Sequence, residues 1–216
     1  MTIRINNTII IIFLFILSSR ILGAETWIFS ADQVKSSQRK DDPKTILTGS
    51  ARVESDKYLI RASYLELSGK DYTHIYGSGG VTLMDKERNI TISSESFDYD
   101  RENSIIKFSE LVTLKDKEKD VVIRCESMDY YDSKSIVDLR ITVRLIKGRT
   151  ICRGEFAVYS MEENYLNISG NPIVWKDGDE YRARRIEVNL DTEEISLEGS
   201  VSGELLTGEK KESGGR

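Results

Sequence analysis

Few residues in this 216-residue chain have the chemistry to cut or transfer a bond. There is one histidine, His74, and there are two cysteines, Cys125 and Cys152. A Ser–His–Asp or Cys–His arrangement has to use His74, and no nucleophile elbow or second partner stands near it in the sequence. A structural zinc site takes about four Cys or His ligands, more than the chain owns. The acidic runs at 116–120 and 176–180 lack calcium-loop spacing. Gly77-Ser78-Gly79-Gly80 lies inside a strand pattern with no helix after it, so it is no phosphate loop. Carboxylates are plentiful, and a pair of them for polysaccharide cleavage stays open on counting alone. They gather at turns, where a solubilising role puts them. The expectation is a protein with no catalytic residues, no metal and no cofactor.

The elements that position these groups come from the rest of the pattern. The composition, 39% hydrophobic and 31% charged with two prolines, is that of a globular domain with a sizeable core. The net charge of −5 argues against a nucleic-acid partner, which wants a basic field. The first 24 residues stand apart. Arg4 precedes an unbroken apolar run from Ile9 to Leu17, and Leu22-Gly23-Ala24 follows. The run is too short to cross a bilayer as a helix and reads as a secretory signal cut after Ala24. An uncleaved inner-membrane anchor is the alternative. Cleavage leaves 29 basic and 36 acidic residues, a net of −7. The expected division is a signal peptide over 1–24, one β domain over 25–205 and a disordered tail over 206–216. An exported chain can hold disulfides, and Cys125 with Cys152 is the one pair available.

A short strand then restarts at regular intervals. Val53, Val81, Val112, Val143, Val174 and Val201 mark successive copies, 27–31 residues apart. Small or apolar residues stand two and four places before several of these valines, which is the period of a strand with one buried face. A second strand follows each: Ile60-Ala62-Leu65-Leu67, Ile92-Ser94-Phe97-Tyr99, Ile123-Cys125-Met128-Tyr130 and Tyr181-Ala183-Ile186-Val188. Two residues instead of one separate the small position from the next apolar one, so a bulge is expected at the same place in every copy. Phe29, Ala31 and Val34 give one more such strand. The fourth copy departs. In the common register it reads Ile151, Arg153, Phe156, Val158. A one-residue shift turns Cys152 and Gly154 inward instead, and only then can the two cysteines share a face. About eleven strands in about six two-strand repeats result, and repeats of this kind bury their apolar faces by stacking on one another.

If two such sheets lie over one another without closing, an apolar trough remains. Gly49, Ala51, Ala62, Gly77, Gly79, Ser94, Ala183 and Gly199 would make room in it, and acyl chains are natural guests at about 0.8 kcal/mol per buried methylene. Equally, the small residues let the sheets pack closely. The candidate groove residues are the inward ones: Val53, Ile60, Ala62, Val81, Ile92, Phe97, Ile123, Met128, Val143 and Ile186.

The order of features resembles the OstA-like domain of the LptA–LptC family of lipopolysaccharide-transport proteins. The carrying stretches are residues 27–34, 45–55, 58–67, 75–83, 90–100, 166–188 and 195–203, and the resemblance spans roughly 27–203, nearly the whole mature chain. The resemblance implies a half-open antiparallel β-jellyroll whose groove passes lipopolysaccharide or another glycolipid toward the outer membrane. It also implies a periplasmic location and head-to-tail stacking on itself or on similar domains. Arg153 and the lack of a glycine before Val143 depart from the family pattern. Two rival readings are a β-stacked assembly scaffold, favoured by a filled interior, and a polysaccharide enzyme on a β-solenoid, which needs clustered charged residues on one sheet face.

Overall fold

Alternating apolar and polar residues make this chain a run of β-hairpins. The computed structural model describes residues 26–39 and 42–206, so the expected leader (1–24) and nearly all of the expected tail (206–216) lie outside the described residues. The strands are β1 (Ile28–Ser30), β2 (Gln33–Arg39), β3 (Asp42–Glu54), β4 (Tyr58–Ser68), β5 (His74–Asp85), β6 (Ile90–Asp100), β7 (Ile105–Asp116) and β8 (Val121–Tyr131). They continue as β9 (Ile136–Lys147), β10 (Thr150–Ser160), β11 (Tyr165–Ser169), β12 (Ile173–Lys176), β13 (Asp179–Arg182), β14 (Arg185–Asn189), β15 (Ile195–Glu198) and β16 (Ser202–Glu204). All pair antiparallel in one sheet, largely in chain order. The number is sixteen where about eleven were expected: β3–β10 run whole, and four further strands are cut in two at mid-length, giving β1/β2, β11/β12, β13/β14 and β15/β16.

The cut marks a corner that every strand crosses. The residue pairs Gly49-Ser50, Gly79-Gly80, Glu110-Leu111, Ile141-Thr142, Gly170-Asn171 and Gly199-Ser200 all have φ between 45° and 79°. Each ladder slips at this point, between Thr48 and Ala51 for example and between Ser78 and Val81. A left-handed pair turns the strand sharply, and repeating it in phase folds the sheet along one line. Layer I holds the halves of β3–β10 that include Leu47, Leu65, Phe97 and Met128, with β2, β11, β14 and β15. Layer II holds the halves that include Val53, Ile60, Ile92 and Ile123, with β1, β12, β13 and β16. Tyr58 and Tyr99 lie at opposite strand ends in the β4–β5–β6 ladder, yet their rings meet edge-on at 5.7 Å. Only a sheet folded over on itself brings those ends together.

The bend corrects the expected role of three glycines. Gly49, Gly79 and Gly199 sit in the corner, not in the space between the layers. At Gly79 an added Cβ would lie 2.9 Å from the Ser63 Cβ, at φ +79°. Gly77 is different: its φ is ordinary, and an added Cβ would lie 2.4 Å from the Phe97 ring, so this glycine does make interior room. Glu110, Leu111, Ile141 and Thr142 hold the left-handed shape with side chains, at about 1–2 kcal/mol each. The ladders on both sides over-determine them.

The fourth copy adopts the shifted register. Cys152, Ala157 and Tyr159 are buried, while Arg153, Phe156 and Val158 face out. Both cysteines are free. They lie on β8 and β10, with β9 between them, so their Cα atoms are about 10 Å apart or more, beyond disulfide reach. The marker valines hold for five copies and fail for the last. Val53, Val81, Val112, Val143 and Val174 are buried, but Val201 is 56% exposed, beside the break between β15 and β16.

Candidate functional site

The interior between the layers is built from straight lines of apolar side chains running across the strands. In layer I, Leu47, Leu65, Gly77, Phe97, Phe108, Met128, Leu139, Ala157, Ile168, Ile186 and Leu197 stand opposite one another in unbroken register. Phe97 and Phe108 stack at 6.1 Å with rings 25° apart. Layer II has a matching line through Val53, Ile60, Leu83, Ile92, Leu114, Ile123, Leu145, Cys152 and Val174. A third, nearer the corner, includes Ala62, Val81, Ser94, Val112, Cys125 and Val143.

All ten sequence-predicted groove residues fall on these lines. Phe97, Met128 and Ile186 belong to layer I, Val53, Ile60, Ile92 and Ile123 to the middle line of layer II, and Ala62, Val81 and Val143 to the corner line. They share one apolar cluster, and none is more than 7% exposed. The interior is therefore filled at every one of these positions. Leu65, Phe108 and Leu139 stand beside them outside the predicted set: the strand pattern already turns Leu65 inward, and alternation from Val112 and Val137 does the same for Phe108 and Leu139.

The other boundary of this interior is the seam opposite the corner, and no sequence signal pointed to it. There the hairpin tips of the two layers meet. Asp132 accepts bonds from Lys57 Nζ at 2.6 and 2.7 Å and from an Arg88 guanidinium nitrogen at 2.9 Å. The same guanidinium donates to Asp85 at 3.1 Å, and its other nitrogen donates to Ser135 Oγ at 3.0 Å. Asp85 also accepts the backbone N–H groups of Glu87 and Arg88, and the Tyr130 hydroxyl at 3.2 Å. Further along, Lys119 donates to the Met161 carbonyl, Lys147 to the Leu190 carbonyl at 2.7 Å, and Lys176 to the Glu193 carbonyl at 2.9 Å. Each tip of one layer thus sends a cation to an acceptor on the facing tip. Among the described residues, no backbone hydrogen bond crosses this seam.

Burial opposes ionisation of Asp132, but Lys57, Tyr58 and Arg88 together hold its carboxyl below the usual range. Burial pushes the Tyr130 hydroxyl up, and the Asp85 and Asp132 charges push it further. Both thiols are raised mainly by burial, Cys125 to about 11 and Cys152 to about 12, so neither is a nucleophile at neutral pH. His74 is exposed, 4.0 Å from the Asp98 carboxylate. Among the described residues, no three His, Cys, Asp or Glu side chains gather as metal ligands, and no helix is long and apolar enough to cross a membrane.

The two ends of the folded sheet are apolar and uncovered. Ile28, Phe29 and Val34 are exposed at the first edge, and Val201, Leu205 and Leu206 at the last. On the outer face of layer I, a hollow of about 620 Å³ is lined by Phe156 and Val158 among polar neighbours.

The filled two-layer roll, bent in phase and closed by a side-chain seam, has relatives. Residues 29–194 match the model of the LptA/LptD N-terminal-domain family of LPS transport proteins. The chain belongs to this family. The match covers the folded sheet from β1 to the turn after β14. The family is one of transport proteins, and the OstA-like assignment drawn from the sequence stands on it. No curated protein sequence matches the chain. Among solved structures, the chain is similar to the crystal structure of LptH from Pseudomonas aeruginosa, described as the LptA-homologous periplasmic component of a lipopolysaccharide transport device. That similarity has 7% identity, covers 85% of this chain and 96% of that one, and has a TM-score of 0.27. A likeness at that level decides nothing about function.

Proposed function

We propose that this protein is a periplasmic carrier that takes the acyl chains of lipopolysaccharide, or of a related glycolipid, between its two layers and hands them on toward the outer membrane. The observation that carries the reading is the set of apolar lines crossing the strands without a break, in a chain of the LPS transport family. A guest acyl chain lying along such a line meets apolar side chains at each strand, about 4.8 Å apart. Because the interior is filled, a guest enters only if the layers part, and the seam is the line where no backbone bond has to break. Val53, Ile60, Ala62, Val81, Ile92, Phe97, Ile123, Met128, Val143 and Ile186 are the contact residues in this proposal, and no catalytic step is assigned to any side chain. The exposed apolar edges support stacking of one copy on the next, head to tail, since unpaired edges template further strands. Export by a leader cleaved after Ala24 belongs to the same reading.

The test is photocrosslinking in cells. A photoreactive residue at Phe97 or Met128 should attach lipopolysaccharide, and one at Lys107, which faces out beside Phe97, should not. A second reading has its own support: a filled interior suits an assembly scaffold that polymerises through its edges and carries nothing. Protein adducts from Phe29 and Val201, with no lipid at Phe97 or Met128, would decide for the scaffold.

A further inference from the structure

The outer face of layer II carries a feature that the transport reading does not use. Arg124, Arg144 and Arg153 stand directly opposite one another on β8, β9 and β10. Neighbouring strands are about 4.8 Å apart, so the three guanidinium groups rise from a line about 10 Å long. All three are exposed. Like charges placed directly opposite on a sheet are destabilising, and the usual remedy is an interleaved carboxylate. Elsewhere in this row Arg52 pairs with Glu54 and Arg182 with Glu180 at 2.5 Å, while Arg61, directly opposite Arg52, also faces out. The three central arginines have no hydrogen-bond or ion-pair partner among the described residues. Glu126 and Glu155 follow two residues along the strands, at the corner, and neither comes within ion-pair distance. This happens in a chain with 36 acidic residues and a net charge of −5.

The adjoining row, one step toward the seam, is apolar. Val122, Ile146, Ile151 and Trp175 stand opposite one another there, all half-buried. The Trp175 indole N–H donates to Glu180 at 2.8 Å, which fixes the ring on the surface. Unpaired arginines suit phosphate, because the guanidinium fork meets phosphate oxygens two at a time. Apolar and indole groups beside them suit the boundary between headgroups and acyl chains. A protein partner would favour cations and anions interleaved across the patch. Three cations in a row without an anion favour a surface of uniform negative charge.

We propose that this face, Arg124, Arg144 and Arg153 with Trp175 beside them, docks the protein on the phosphate headgroups of an anionic lipid bilayer. Docking of this kind does not depend on lipid being carried between the layers. The experiment is cosedimentation of the mature chain with vesicles of phosphatidylethanolamine and phosphatidylglycerol (3:1), at 50 and 300 mM salt, against vesicles of phosphatidylcholine alone. The wild type should bind the anionic vesicles at low salt, lose most of that binding at high salt, and leave the neutral vesicles bare. The triple variant R124Q/R144Q/R153Q should bind on the order of 100-fold more weakly, since each basic residue near an anionic surface is worth about five-fold. The control K44Q/K107Q/R185Q removes the same charge from layer I and should bind like the wild type. Trp175→Ala should weaken binding a few-fold and leave the salt dependence unchanged. Equal binding to both vesicle types, equal loss in both triple variants, or no binding at 50 mM salt would each overturn the proposal. So would retention of polyglutamate by these arginines without vesicle binding, which would give the face to an acidic protein.

Discussion

The two layers meet along two lines, the corner and the seam, made in opposite ways. At the corner each strand passes from one layer to the other as continuous backbone, and strain is accepted to turn it, as at Ile141 and Thr142 with φ of 65° and 54°. At the seam no backbone hydrogen bond crosses among the described residues, and the closure is a file of cations on facing acceptors. Backbone ladders open only with the fold. Side-chain bonds open one at a time and close again. On the carrier reading proposed above, the corner would act as the hinge of this molecule and the seam as its opening.

Breaking the strongest seam contact should have the largest effect. Asp132→Ala leaves Lys57 and Arg88 without their shared acceptor and should cost about 3 kcal/mol in urea unfolding. If the seam is the opening, the same change should speed alkylation of Cys125 and Cys152 in the folded protein, and Asp132→Asn should do so with a smaller stability loss. At the corner, Gly79→Ala puts a side chain at φ +79° against Ser63 and should cost about 2 kcal/mol. It should leave thiol access in the remaining folded protein unchanged, which is the contrast that would break the comparison if it failed. Ile141→Gly should act in reverse and stabilise by up to about 1 kcal/mol, because strain relief outweighs the freedom glycine adds to the unfolded chain. The smallest change is expected from Lys119→Met, which removes one rung of the seam and should cost roughly 0.5–1 kcal/mol.

The pH dependence sharpens the same contrast. The Asp132 carboxyl is held low in the fold, so its contribution to stability is complete above the ordinary carboxylate pKa near 4 and disappears as pH falls through the lower folded value. Thiol access, taken as the alkylation rate relative to that of the unfolded chain at the same pH, should stay flat from pH 8 to 5, and a rise should set in only below about pH 4. A rise near pH 6 would mean that some other group closes the seam.

Much of the fold could be read because one rule repeats. Alternation around Val53, Val81, Val112 and Val143 told inside from outside, and the extra residue after Ala62, Ser94 and Cys125 announced the bend. What the pattern could not convey was that the bend is a two-residue left-handed corner. In two copies it is made by Glu110-Leu111 and Ile141-Thr142, residues whose types argue against it. The register of the fourth copy was open for a similar reason: Ile151, Phe156 and Val158 are as apolar as the residues that are in fact buried, and pairing with Leu145 and Leu139 decides between them. Every inward residue chosen as a contact lies inside. The seam was invisible, because Lys57, Arg88 and Asp132 are ordinary turn residues in sequence. Their meaning comes from the folding-over that places a tip 75 positions away within 2.6 Å.

The corner also governs length. Each repeat carries its own bend, its own share of the interior lines and its own cation for the facing tip. Two strands widen the sheet by about 10 Å, and the twelve strands of the main path extend about 50 Å from first to last. Nothing in the unit refers to how many copies precede it. Duplicating residues 105–135 should give a longer roll with every line still in phase, so the reach of such a protein is counted in repeats.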